Sequence, residues 1–310
     1  MPPTSSSTIV TVTGDYQYQG ESHSHSDPVP CLNLTFSVGV GMTQTGKLIY
    51  TELQSIANGI GKFHNGDYIR EQDAVDCVKD LIKSLRRENE TCNIRRFLGQ
   101  AQVLQEDLVP LIVYYGRADE ELFEVTIRCL MNLTQPARIV FKNEVPQDQS
   151  TRHCYIQVEE YLQEYKQAFV NEQFLKVLSE KLAYFLELNV LIERLLVLLR
   201  NILHVAATDV DRLRTDDDAS THDQIVWQMH QTGLDKLILY IASSDDERRF
   251  AIHVLEIISL MFRDQSPEQL SSAGASRSRR EKERDEQELT RITDMERAKK
   301  QSQLLRLTTR

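Results

Sequence analysis

Apolar positions along the chain fall at helical spacing from about Leu53 onward. Leu53, Ile56, Ala57 and Ile60 keep i, i+3, i+4, i+7 intervals and predict a helix that stops at Gly61. Asn65-Gly66-Asp67 reads as a turn. Ala74, Val75, Val78, Leu81, Ile82 and Leu85 form a second stripe, with Lys79, Lys83, Arg86 and Arg87 on the opposite side. Shorter helices are expected over Phe97 to Val103 and Leu108 to Tyr115, with Pro110 in the first turn of the latter, where its missing N–H costs nothing. Asp119-Glu120-Glu121 places negative charge at the start of a helix running to Pro136. Further helices are expected at 152–169, 172–187, 189–204, 220–230, 234–243 and 247–263.

Breakers are scarce through this stretch. No Gly lies between Gly116 and Gly233, and no Pro between Pro146 and Pro267. β-Hairpins and βα connections need such residues, so the expected class is all-α. Three segments echo one another: Ile127 to Leu133, Val197 to Leu203 and Val254 to Leu260. Each is a nearly all-round apolar helix with one small polar residue near its end. Helices of this kind are buried between neighbours in an armadillo/HEAT-like right-handed α-solenoid, the architecture expected here.

The ends of the chain differ from this body. Residues 1–48 are rich in Ser, Thr and Gly and read as a disordered extension, or as the product of a misplaced gene start. The His23/His25 pair has no further ligands nearby and reads as part of a solvated tail. Residues 49–270 form the helical domain. Residues 271–310 form a charged, basic and partly helical tail, with 11 Lys/Arg against 7 Asp/Glu within 270–310. The whole chain carries −10, so an acidic body is joined to a tail of net +4.

Composition removes several function classes. Five widely spaced cysteines without a C-x-x-C pair argue against a disulfide framework or a zinc module. The most apolar stretch, Val190 to Val205, contains Glu193, Arg194 and Arg200, so it reads as a buried helix and not a membrane span. No phosphate-binding loop, dinucleotide fingerprint, zincin motif or nucleophile elbow is present. The expectation is a chain with no catalytic residues, no cofactor and no metal, in a reducing compartment.

A few residues are candidates for binding. Asn132 and Asn201, with Arg200, lie in otherwise apolar helices. The two amides either line a groove that reads a bound segment's backbone or brace adjacent loops. Asp216, Asp217 and Asp218 precede Ser220, a capping residue with Asp223 three positions on. The acids either open a helix or form a docking patch for a basic partner. Arg277, Arg279, Arg280, Lys282 and Arg284, followed by Arg297, Lys299 and Lys300, form two basic clusters. They read as a nuclear import signal, a phosphate-contacting tail or a solvated charged helix.

The chain resembles the Timeless family over about Glu52 to Leu270. The residues that carry the resemblance are Asn132-Leu133-Thr134-Gln135-Pro136, Leu199 to Val205, Asp216 to Gln224, and above all Leu255 to Leu270. Val78-Lys79-Asp80-Leu81-Ile82 and Leu98-Gly99-Gln100-Ala101-Gln102 also fit. The family usually has Pro where Ala206 stands. Its members run far beyond 310 residues, so the resemblance implies an N-terminal piece, nearer to the replication-type branch than to the insect clock paralogue. It further implies an armadillo-like nuclear scaffold that pairs with Tipin, travels with the replicative helicase and other replisome proteins, protects stalled forks, supports the S-phase checkpoint and touches duplex DNA. Two other roles stay open at this point: a circadian adaptor that docks a clock partner, and direct DNA binding through the basic tail.

Overall fold

The computed structural model describes residues 44–188, 191–207 and 219–263, with isolated positions beyond. The chain divides into Met1–Thr43 and Gln44–Arg310. The first unit lies outside the described residues, as do 208–218 with Asp216, Asp217 and Asp218, and nearly all of 271–310.

The described residues are mostly helical, in agreement with the all-α expectation. The first helix, α1 (Gln44–Asn58), starts well before Leu53 and takes in 44–48, which the sequence reading assigned to the N-terminal extension. The Asn-Gly turn closes a small hairpin, β1 (Gly61–His64) with β2 (Asp67–Arg70), where helices alone had been expected. Asn65 (φ 52°) and Gly66 (φ 93°) both take the positive φ that a two-residue hairpin loop requires. Gly61 admits the hairpin's tight fold, because a Cβ there would lie 2.5 Å from the Tyr68 hydroxyl.

Helix α2 (Ala74–Arg86) buries the predicted stripe of Ala74, Val78, Leu81, Ile82 and Leu85. The expected helix at Phe97 to Val103 is displaced: α3 spans Asn93–Gln100, and Gln102 turns the chain at φ 51°. A π-helical turn at Leu104–Leu108 then runs directly into α4 (Val109–Tyr115), with Pro110 in its first turn. In α5 (Glu120–Leu133), the Asp119 carboxylate caps the helix by accepting from Leu122 N at 3.0 Å. A short α6 (Ala137–Val140) leads to α7 (Gln149–Ala168), α8 (Glu172–Leu188) and α9 (Ile192–His204). Ser220 caps α10 (Thr221–Gln231) by accepting from Asp223 N at 3.1 Å, the capping arrangement read from the sequence. α11 (Leu234–Ser243) follows Gly233. A 3-10 turn at Arg248–Phe250 opens α12 (Ala251–Met261).

Packing sorts the helices into two rows. α2 lies on α5, α5 on α9 and α9 on α12, and these last three contain the echoing segments. Against that row lie α3 with α7, α4 with α8, and α8 with α10 and α11. α9 is buried along most of its length through Leu195, Leu196, Leu198, Leu199, Ile202 and Leu203. Each such side chain is worth roughly 1.5–3 kcal/mol on full burial. The aromatic pair Phe123–Phe185 (5.9 Å) joins α5 to α8 across the two rows, and Phe169–Phe174 (5.2 Å) packs the end of α7 on α8. Among the described residues, no helix is long and apolar enough to cross a membrane.

Candidate docking surface

The C-terminal ends of α5 and α9 are held by side chains from other elements. A helix leaves its last carbonyls without intrahelical donors, and its dipole favours a cation there. Arg95 of α3 supplies one to α5, with Nη1 donating to the carbonyls of Asn132 and Leu133. Arg95 is buried and rests on Glu88, whose carboxylate lies 3.5 Å from Nε. The end of α9 is closed twice. Lys166 Nζ donates to Val205 O at 2.7 Å, and Arg263 Nη1 to His204 O at 2.5 Å.

Asn201 joins the two helices. Its Nδ2 donates to Met131 O at 3.3 Å and lies 3.4 Å from Thr134 Oγ1. Thr134 Oγ1 in turn donates to Leu130 O at 2.8 Å. Asn132 turns its amide back on its own helix, donating to Arg128 O at 2.8 Å. Both amides are therefore engaged within the protein, and Asn201 is only 1% exposed.

Next to this junction a groove of about 420 Å³ opens, lined by Arg138, Tyr155, Glu159, Asn201, His204 and Arg263. Burial, followed by Arg263, lowers the pKa of His204. Beneath the α9 end, His222 Nδ1 sits 3.3 Å from Lys166 Nζ, and burial and then that ammonium hold the imidazole below its usual pKa. The groove offers two guanidinium groups, one carboxylate and an aromatic ring, a set suited to gripping polypeptide.

The outward face of the same row carries ion pairs that run from helix to helix. Lys79 of α2 meets Glu121 of α5 at 2.7 Å. Arg194 of α9 meets Glu124 of α5 at 2.5 Å, and Arg128 shares that carboxylate at 3.0 Å. Arg200 of α9 meets Glu256 of α12 at 3.2 Å, and His253 of α12 lies 3.6 Å from Glu193. Exposed pairs of this kind are worth about 0–1 kcal/mol each, so a partner's charges can replace them at little cost. Among the described residues, Arg200 is the one predicted site residue whose charged group lies on this face.

Of the sequence candidates, the structure brings Asn132, Arg200 and Asn201 together at the α5–α9 junction. Asp216, Asp217, Asp218 and the basic clusters from Arg277 to Lys300 lie outside the described residues. Arg95, Lys166 and Arg263 were missed. Arg95 cannot be told from Arg96 by composition. Lys166 had a signal, since it continues the stripe Val158, Leu162, Tyr165, Phe169 on the apolar side of α7.

Comparison with known proteins places this arrangement. The family model described as "Timeless protein" matches residues 67–310. The mouse protein named "Protein timeless homolog" is 46% identical over 263 residues, which cover 82% of this chain and 22% of that protein. Its human counterpart is 45% identical over the same share. "Mating-type switching protein swi1" of Schizosaccharomyces pombe is 24% identical over 240 residues, 71% of this chain and 24% of that protein. The matched region thus spans about a fifth of the length of these relatives. With the match covering nearly the whole helical body, the chain belongs to the Timeless family.

Proposed function

We propose that this chain is the helical docking part of a non-enzymatic nuclear scaffold of the replication fork-protection type. In this reading the rows of helices form an armadillo/HEAT-like right-handed solenoid, with Tipin as its direct partner. Replisome proteins, including the replicative helicase, then dock on the same array and support the S-phase checkpoint. The observation that carries the reading is the uninterrupted packing of α2, α5, α9 and α12, with the C-terminal ends of α5 and α9 held by internal side chains. Among the described residues, nothing covers the row's outward face or fills the adjoining groove, and such a surface suits polypeptide. Identity of 46% to the mouse relative, against 26% to "Protein timeless" of Drosophila melanogaster, supports the replication type over a circadian adaptor.

The test is co-purification of the 310-residue chain with Tipin. A 1:1 complex at micromolar concentration is expected, and two separate peaks under those conditions would count against the reading. Contact with duplex DNA through the basic clusters is a secondary part of the proposal. A tail of net +4 offers only a few phosphate contacts, so binding should be weak and fall steeply with salt. Affinity that stays flat between low and physiological salt would remove this part.

A further inference from the structure

A second groove lies away from the α5–α9 junction, between the hairpin with α4 and the C-terminal half of α7. It encloses about 650 Å³, and Phe63, Gln105, Pro110, Tyr114, Glu164 and Gln167 are among its walls. The rings of Phe63 and Tyr114 are nearly half exposed and flank the buried ring of Tyr68, at 5.2 Å and 6.3 Å between centroids. Gln105 Oε1 is buried there without a hydrogen-bond partner among the described residues.

The backbone beside this groove has an edge that no described residue pairs with. Glu71 N donates to Ile60 O at 3.0 Å, which sets the hydrogen-bonded positions of the hairpin at every second pair. Phe63 and Tyr68 face each other at an intervening pair, so their peptide groups point outward from the two strands. On β2 the Tyr115 hydroxyl covers this edge, donating to Tyr68 O at 3.2 Å and accepting from Arg70 N at 3.4 Å. On β1 the N–H and C=O of Phe63 meet no partner among the described residues. An unguarded edge of this sort pairs readily with an added strand.

Charge selects what is added. Glu160 and Glu164 stand one turn apart on the exposed side of α7 and form no ion pair among the described residues. Burial, then the neighbouring Glu160, raises the pKa of Glu164. Two like charges at this spacing destabilise their helix until a cation arrives.

From this we infer that the groove takes an extended basic and apolar segment of a partner protein. The segment pairs its backbone with the outer edge of β1, seats an apolar side chain against Phe63 and Tyr114, and brings a Lys or Arg to Glu164. The site is independent of the pairing with Tipin, so either can fail without the other.

The experiment uses the full chain and an end-blocked fluorescent peptide of alternating valine and lysine, followed by anisotropy. Saturable binding is expected. Glu164→Gln should weaken it by about two- to fivefold, the range for an exposed ion pair. Phe63→Ala should weaken it further, and N-methylation of alternate peptide bonds should abolish it. Both positions are exposed enough for the variants to fold, which circular dichroism would verify. Equal affinity for a valine–glutamate peptide, indifference to N-methylation, or no binding at millimolar peptide would each overturn the assignment. A gain in affinity on removing residues 271–310 would assign the groove to this chain's own basic segment and overturn the partner reading.

Discussion

Asn201 of α9 donates its side-chain amide to the backbone carbonyl of Met131 in α5, from a position that is 1% exposed. Two helices remote in sequence are thus joined at the point where α5 runs out of its own donors. Removing the amide leaves that carbonyl and Thr134 Oγ1 short of a partner and opens a small void. Asn201→Ala should therefore cost roughly 1–3 kcal/mol, read as a lower urea midpoint. Because the amide faces inward, a folded Asn201→Ala protein should bind Tipin as the parent does. Selective loss of that binding at unchanged stability would show that the residue contacts the partner.

Much of this arrangement could be read from the residues, and the omissions have physical causes. The stripe of α2, the Asp119 cap and the Ser220–Asp223 cap are local, so spacing alone reveals them. The hairpin was half legible. Asn65-Gly66 announced a turn, but strands of four residues leave little alternation to detect. The π-helical turn at Leu104–Leu108 has no sequence signature of its own. Arg95 and Lys166 are buried because helices from elsewhere end on them, which is a tertiary fact that composition does not encode. Asn132 and Asn201 stood out as polar residues on apolar helices, yet the same signal fits a brace and a groove contact equally well.

Gly99 of α3 marks a second close approach. A Cβ at this position would lie 2.4 Å from Cγ of Tyr161 on α7, a contact no real side chain makes. Gly99→Ala should destabilise by about 1–3 kcal/mol through overpacking, despite the better helix propensity of Ala. Combining it with Tyr161→Ala should recover part of that loss, giving a favourable coupling in a double-mutant cycle. Additive losses would mean that the ring moves aside freely.

His222 gives stability a dependence on mild acid. Its pKa is lowered in the folded protein by burial and then by the Lys166 ammonium at 3.3 Å. The unfolded chain therefore binds the proton more readily, and stability should fall as pH drops below the ordinary imidazole value of about 6.5. Removing the ammonium with Lys166→Met should raise the His222 pKa, as followed by NMR of its ring protons. A His222 that titrates at the ordinary value in the parent would contradict the burial seen here.

Asp107 acts in the opposite sense. It sits in the π-helical turn, accepts from the Tyr68 hydroxyl at 3.1 Å, and burial pushes its carboxyl up to about 7. The folded state thus holds a proton that the unfolded chain releases near pH 4, so stability drains away as pH rises from about 4 towards 7 and stays low above it. Asp107→Asn keeps an acceptor for Tyr68 and carries no charge to desolvate. The substitution should stabilise the protein at pH 8 by roughly 1–3 kcal/mol and have little effect at pH 4. The measurement is the urea midpoint of both proteins at the two pH values. An Asp107→Asn protein that is less stable than the parent at pH 8 would mean that the ionised carboxylate, and not the buried neutral acid, holds the hairpin to the π-helical turn.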